Sequence, residues 1–317
     1  LPDLIAGDSV VVACSGGPDS LALVGATAWV TRRSGITPIA VVVDHGLQPG
    51  SADVAAWAAA RCRDLGVERA EVVTVLVGIA GGPEAAARDA RYAALESIAV
   101  EAGAAAVLLG HSREDQAETV LLRLARGSGA RSLSGMRARS GPWRRPFLGL
   151  SRADIRSVAD ELLGVLGERP WSDPHNEDPS FARVRVRALL ESLTQAIGPG
   201  AVPGLARSAD LLRDDADALE TWSREVARSL VAPTEDERSA DCEALDDLPR
   251  AVRTRVIRAM CLALGCVAED LTWDHVMRVE SLVSDWHGQG EVGLPSGVVA
   301  VRSCGRLSLR RRSREGR

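Results

Sequence analysis

Three groups of residues in this 317-residue chain have types and spacings that could do chemistry. The first is Ser15-Gly16-Gly17-Pro18-Asp19-Ser20, which follows the apolar run Val10 to Ala13 and leads into Leu21-Ala22-Leu23, so a strand turns directly into a helix. Gly16 and Gly17 let a ligand approach the main chain, N–H groups of the turn converge on it, and the helix dipole adds partial positive charge. Ser15 and Ser20 supply hydroxyls, and Asp19 supplies a carboxylate suited to magnesium beside a polyphosphate. The second group is Asp115 and Glu118, three apart and followed by Thr119, on one face of a helix that starts after Gly110-His111. There they could grip an ammonium group or form a routine acidic first turn. The third is Asp44-His45-Gly46 at a strand end, with Arg88 and Arg91 flanking Tyr92. Asp44 could hold a metal or be a polar strand exit, and Arg91 could meet a phosphate or carboxylate or be a surface arginine.

Two other phosphate loops compete for the first group. The G-x-x-x-x-G-K-[ST] loop needs a lysine, and the chain has none. G-x-G-x-x-G does occur, from Gly288 to Gly293, but it follows a helix-like segment and precedes strand-like Val298 to Val301, the reverse of the required context.

The elements that must position these groups are read from periodicity. Strands are expected over Ser9 to Ala13, Pro38 to Val43, Ala70 to Val75 and Ala105 to Leu109. Helices are expected over Ser20 to Arg32, Asp53 to Leu65, Glu84 to Ala102, Arg113 to Arg126 and Arg152 to Leu163. The alternation predicts an α/β fold, a Rossmann-like doubly wound parallel sheet over residues 1–197, with the chemical residues beyond the carboxyl ends of strands. Gly198 to Gly204 reads as a linker, and 205–317 as a smaller, mainly helical domain. Its helices fall at Leu205 to Leu230, Leu248 to Leu264 and Thr272 to Val283, with a hairpin from Glu291 to Leu309.

Composition narrows the function classes. With 46% hydrophobic residues the chain can bury two cores, and a net charge of −5 argues against coating nucleic acid through bulk charge. Local charge differs: between Thr119 and Ala153 there is no Asp or Glu, yet Arg123, Arg126, Arg131, Arg137, Arg139, Arg144, Arg145 and Arg152 fall there. Such a run is either a solvated loop or a nucleic-acid surface. A second basic cluster runs from Arg306 to Arg317 and could equally be a disordered tail. Six cysteines without C-x-x-C spacing, five histidines without H-E-x-x-H, and the lack of a secretory or membrane-spanning pattern lead us to expect a soluble, cytoplasmic protein whose cysteines pack rather than ligate.

Ser15 to Ser20 matches the loop of the N-type ATP pyrophosphatases, or PP-loop family. Five further segments follow in order: Val43 to Leu47, Ala87 to Tyr92, Gly110 to Thr119, Ser134-Gly135-Met136-Arg137 and Arg145-Pro146-Phe147-Leu148. With these the chain resembles the tRNA(Ile)-lysidine synthetases. Asp173 to Asp178 and Phe181 to Arg187 extend the likeness over nearly the whole first domain. Two departures stand out. Ser112 occupies a position where many relatives carry a second histidine, and Arg183-Val184-Arg185 replaces Arg-Asn-Arg.

The resemblance implies that the wobble cytidine of the CAU-anticodon isoleucine tRNA is adenylated at its C2 oxygen by ATP, and that free lysine then displaces AMP to give lysidine. It assigns Ser15, Gly16, Gly17, Pro18, Asp19 and Ser20 to ATP, and Asp19 with Asp44 to Mg2+. Arg91 goes to a phosphate or the lysine carboxylate, Asp115 and Glu118 to the lysine amines, and His111 to proton removal. Arg123, Arg126, Arg131, Arg137, Arg144 and Arg145 become tRNA-binding candidates, the second domain a probable tRNA contact, and a homodimer remains open. The rivals are a PP-loop tRNA thiolase, which needs grouped cysteines, a small-molecule amidating ligase, and a non-catalytic nucleotide-binding module.

Overall fold

The computed structural model describes residues 3–78, 82–127, 129–174 and 178–312. His175 to Glu177 and the tail arginines Arg314 and Arg317, singled out above, lie outside the described residues. Two compact units divide the chain, Leu1–Arg213 and Asp214–Arg317.

The first unit contains β1 (Ser9–Cys14), α1 (Pro18–Ser34), β2 (Thr37–Asp44), α2 (Ser51–Asp64), β3 (Arg69–Thr74), α3 (Pro83–Glu101) and β4 (Ala106–Leu108). It continues through α4 (Arg113–Leu124), α5 (Ala130–Leu133), β5 (Arg139–Ser140), β6 (Trp143–Arg144), α6 (Arg152–Gly164) and α7 (Ala182–Ile197). Its six-stranded sheet has the order β3-β2-β1-β4-β6-β5, parallel except for the edge strand β5. Strand β1 reads Ser-Val-Val-Val-Ala-Cys rather than alternating apolar and polar, because both faces are covered: Val10 and Val12 enter one core layer, Val11 the other. The order reverses between β1 and β4, and that switch point is where a crevice opens beyond the strand ends.

The expected strands and helices of this unit are present with ends moved by a few residues. The short pair β5 and β6 and the helix α7 were not anticipated from periodicity. One boundary needs correction. Helix α8 (Ala201–Leu230) takes in residues 201–204 of the segment read as a linker, leaving only Gly198 to Gly200 as the turn. Pro203 is tolerated because the first helical turn has no intrahelical use for its missing N–H.

The second unit holds most of that helix's length after Arg213, then β7 (Ala232–Pro233), β8 (Glu237–Asp241), α9 (Cys242–Asp246), α10 (Arg250–Ala263) and α11 (Trp273–Ser284). The strands β9 (Val292–Gly293), β10 (Val298–Ser303) and β11 (Arg306–Arg311) complete it. The hairpin β10–β11 is joined by three further strands into an antiparallel sheet ordered β7-β8-β11-β10-β9. Leu307, Leu309, Val298 and Ala300 face the α10 and α11 residues Val256, Ile257, Val279 and Leu282 in one core. No helix among the described residues is long and apolar enough to cross a membrane. Five of the six cysteines are buried and Cys304 is exposed; none forms a disulfide.

Candidate active site

The loop after β1 is held by its own side chains. Ser20 Oγ donates to Gly17 O at 2.9 Å and accepts from Ser15 N at 3.1 Å, so one of the two expected hydroxyl donors fixes the turn. Gly16 adopts φ +80°, a left-handed conformation that favours glycine. Gly17 caps α1 without offering a side chain, and Pro18 follows at the first turn, so the positive end of a 17-residue helix is left to a ligand. Gly110, after β4, must be small for another reason: a Cβ there would lie 3.0 Å from Asp19 O. Close approach of the β4 end to the first turn of α1 at the switch point therefore depends on it. From the other side Trp171 N donates to Gly16 O at 3.1 Å, and Trp57 and Arg61 anchor that segment through Glu168.

A cavity of about 340 Å³ opens at this point, lined among others by Ser15, Asp19, Asp44, His45, Arg91 and His111. The structure thus gathers residues from the ends of β1, β2 and β4 and from α3. Several of their polar atoms are buried without a partner among the described residues: Asp19 Oδ1, His45 Nδ1, Arg91 Nε and His111 Nδ1. Buried polar groups are nearly always satisfied in folded proteins, so four orphans around one cavity make it the candidate site. Burial raises the Asp19 carboxyl, partly countered by Arg152. It also lowers the imidazoles: His45 falls, helped by Arg91, and His111 falls to about 3, so both are neutral at physiological pH. Asp44 is committed in part to its own turn, where its Oδ1 accepts from Gly46 N at 2.9 Å.

Asp115 and Glu118 do share one face of α4, but they do not line the cavity. Both meet the same nitrogen: Arg152 Nη2 lies 2.8 Å from Asp115 Oδ1 and 3.0 Å from Glu118 Oε1. Arg152 Nε approaches Asp19 Oδ2 at 4.0 Å, which links the acidic pair to the loop. Arg187 on α7 adds a bond to Glu118 Oε1 at 3.1 Å. Glu118 is 2% exposed, and its Oε2 has no partner among the described residues. Asp115 Oδ2 accepts from Ser112 N and Oγ, and Ser112 Oγ accepts in turn from Asp115 N, a reciprocal cap of α4. Burial pushes the Asp115 carboxyl up, but Arg152 and this cap outweigh it and hold it below its ordinary value.

Sequence reading missed three of these parts. Ser112, given no role above, is fully buried and caps α4, and S-x-x-D before a helical run was its signal. Arg152 was read only as part of the basic run and Arg187 only as the end of the Phe181 to Arg187 segment; nothing local ties either to Glu118, which lies 34 and 69 residues away from them. The arginine-rich segment divides in two. Arg123 donates to Ser132 O and Gly135 O, Arg145 is buried and donates to Arg137 O, and Arg144 pairs with Asp3. Arg126, Arg131 and Arg137 are exposed.

The glycine-bearing loop at the switch point of a parallel sheet defines the class: this is a PP-loop protein, and the PP-loop domain family matches residues 5–193. The family described as TilS substrate binding domain matches residues 241–308. The chain belongs to the tRNA(Ile)-lysidine synthase family. It is 53% identical over 309 residues to the tRNA(Ile)-lysidine synthase of Thermobifida fusca, covering 97% of this chain and 93% of that protein. It is 49% identical to that of Streptomyces coelicolor, covering 98% and 87%. Among solved structures, the U34-tRNA thiolase NcsA from Methanococcus maripaludis with its [4Fe-4S] cluster is similar in fold. It has a TM-score of 0.55 and 18% identity, over 68% of this chain and 74% of that one.

Proposed function

We infer that the chain ligates free lysine to C2 of the wobble cytidine in the CAU-anticodon isoleucine tRNA, cleaving ATP to AMP and pyrophosphate. The observation that carries this reading is the adjacency of two charge environments. The uncapped start of α1 faces the cavity, and one arginine joins the loop's Asp19 to a buried acidic pair on α4.

The two steps need different things from the protein. In the first, the C2 oxygen attacks the α-phosphorus and pyrophosphate leaves, so the site must neutralise charge on the departing phosphates. The α1 N-terminus, Ser15 and Arg91 with its unpaired Nε supply that positive potential. In the second, the lysine ε-nitrogen attacks C2 and AMP leaves. Asp115 and Glu118 hold the lysine amines, and His111, kept neutral by burial, accepts a hydrogen bond from the amine that must shed its proton. Magnesium fits Asp19, whose Oδ1 is buried and has no partner among the described residues, and Asp44, which lines the same cavity. Among the described residues no group of three or more His, Cys, Asp or Glu could hold a metal, so substrate phosphates would complete its shell. When bound it would neutralise polyphosphate charge. The same observation disfavours the thiolase reading, which needs a cluster of cysteines.

An anticodon loop presents its wobble base already single-stranded, so it can be splayed into the cavity. Arg126, Arg131 and Arg137 are exposed members of the basic segment suited to the phosphates. In the second unit, Arg250, Arg255 and Arg258 carry no carboxylate partner among the described residues, and they lie beside Trp273, which is 70% exposed. Guanidiniums next to an exposed indole suit an RNA strand. These substrates place the reaction in the cytoplasm.

Incubation with ATP, Mg2+, radiolabelled lysine and total tRNA tests the reading. Label should enter RNA with stoichiometric AMP and pyrophosphate, and formation of ADP, or unlabelled RNA, would overturn it. In a salt series the logarithm of tRNA affinity should fall linearly with that of salt, and Arg126→Ala should reduce the slope by about one.

A further inference from the structure

The acidic pair assigned to lysine is already occupied by the protein's own cation. Both oxygens of Asp115 are engaged: Oδ2 takes both Ser112 donors, and Oδ1 takes Arg152 Nη2. Glu118 Oε1 takes Arg152 and Arg187 together, and its Oε2 is enclosed. An incoming ammonium therefore meets a niche that already holds a cation and, among the described residues, has only Glu118 Oε2 unanswered, and it can bind both carboxylates only when Arg152 withdraws. The same guanidinium has its Nε 4.0 Å from Asp19 of the phosphate loop, so the alternative position for it is an anion in that loop. A polyphosphate offers Arg152 a planar, two-point contact of the kind guanidinium groups favour.

Resting on the function proposed above, we propose that Arg152 is a positioning residue that makes lysine binding depend on nucleotide. It masks Asp115 and Glu118 until a polyphosphate in the Ser15 to Ser20 loop draws it away. The two carboxylates, relieved of one positive charge, then take up the amine. No bond is made or broken in this step; one salt-bridge partner is exchanged for another. The arrangement orders the reaction, because the nucleophile docks only where there is ATP to activate the cytidine. Linkage requires the converse as well: lysine must strengthen nucleotide binding by the same factor.

Equilibrium dialysis of radiolabelled lysine against the full chain, with and without Mg2+ and α,β-methylene-ATP, tests the proposal directly. In the unmodified protein the nucleotide analogue should tighten lysine binding about tenfold, within the 5- to 150-fold range usual for coupled sites. In Arg152→Gln, lysine should bind as tightly without the analogue as the unmodified protein binds it with the analogue, and the analogue should add less than about twofold. Equal lysine affinity in the unmodified protein with and without analogue overturns the proposal, as does an Arg152→Gln variant that keeps its melting temperature but binds lysine more weakly in both conditions. Should Arg152→Gln fail to fold, the two measurements on the unmodified protein still decide. Asp115→Asn separates this idea from the function beneath it. If that variant binds lysine normally, the amine site itself is misassigned; if it loses lysine but the unmodified protein shows no nucleotide dependence, only the coupling fails.

Discussion

Two buried glutamates, one in each unit, sit in similar arginine surroundings and end in opposite states. Glu280 of α11 is 5% exposed and receives Arg253 through both Nε at 2.9 Å and Nη2 at 2.6 Å, while Ser284 Oγ donates to its other oxygen at 3.1 Å. Arg253 is completed by Asp246 and Leu248 O. Every oxygen of that pair is answered, and the cluster pins α10 to α11 and α9. Glu118, equally buried, accepts two arginines on one oxygen and, among the described residues, nothing on the other. A closed network fixes a fold, whereas an incomplete one keeps an oxygen in reserve for something that arrives later. The comparison teaches that burial and ion pairing do not by themselves distinguish structural from functional charge; between these two carboxylates the difference is one unanswered oxygen.

Neutralising each glutamate should separate these roles. Glu118→Gln is expected to lower lysine ligation on the order of 10²- to 10³-fold, with less than about 1 kcal/mol lost in denaturant unfolding, because the native carboxylate was never fully satisfied. Glu280→Gln should do the reverse, costing about 3 kcal/mol because it leaves Arg253 buried and undercompensated, while ATP cleavage by the remaining folded protein is unchanged. If both variants lose stability alike, the distinction between the clusters disappears.

A smaller effect sharpens the geometry between the strand ends. Gly110→Ala places a methyl 3.0 Å from Asp19 O, so the loop must shift, and the KM for ATP should rise roughly tenfold with the chain still folded. An unchanged KM would show that the cradle does not depend on this close approach. A last test concerns pH. His111 is lowered to about 3 in the folded protein from an ordinary value of 6.5, chiefly by burial. Between these values the unfolded chain binds the proton and the folded one does not, so stability must fall as pH drops from about 6.5 towards 3. His45 shifts in the same direction and contributes to the same slope. Replacing His111 by Asn should flatten the stability profile in that window, read by urea unfolding at pH 4, 5, 6 and 7, and an unaltered profile would show that His111 is not held neutral.

Much of the site was legible because its parts are short and local. Ser15 to Ser20 announces itself as a strand-to-helix turn, and Asp115 and Glu118 share a helix face through spacing alone. The two-residue strands β5, β6, β7 and β9 were not legible, since two residues carry no alternation to detect and their pairing depends on distant partners. Likewise the basic segment could be counted but not sorted. Whether an arginine holds a carbonyl, as Arg123 and Arg145 do, or stands in solvent, as Arg126 does, depends on the path of the loop around it.

The sequence by itself determined the anion cradle, the parallel sheet that carries it and the position of the acidic pair, because each is set by backbone sterics and by periodicities within a few residues. Only the tertiary structure decided that Arg152 and Arg187 close on Glu118 and that Gly110 abuts Asp19. Those contacts join α4 to α6 and α7 and the end of β4 to the first turn of α1, and a charge finds its partner across such distances only after the core has brought the elements together.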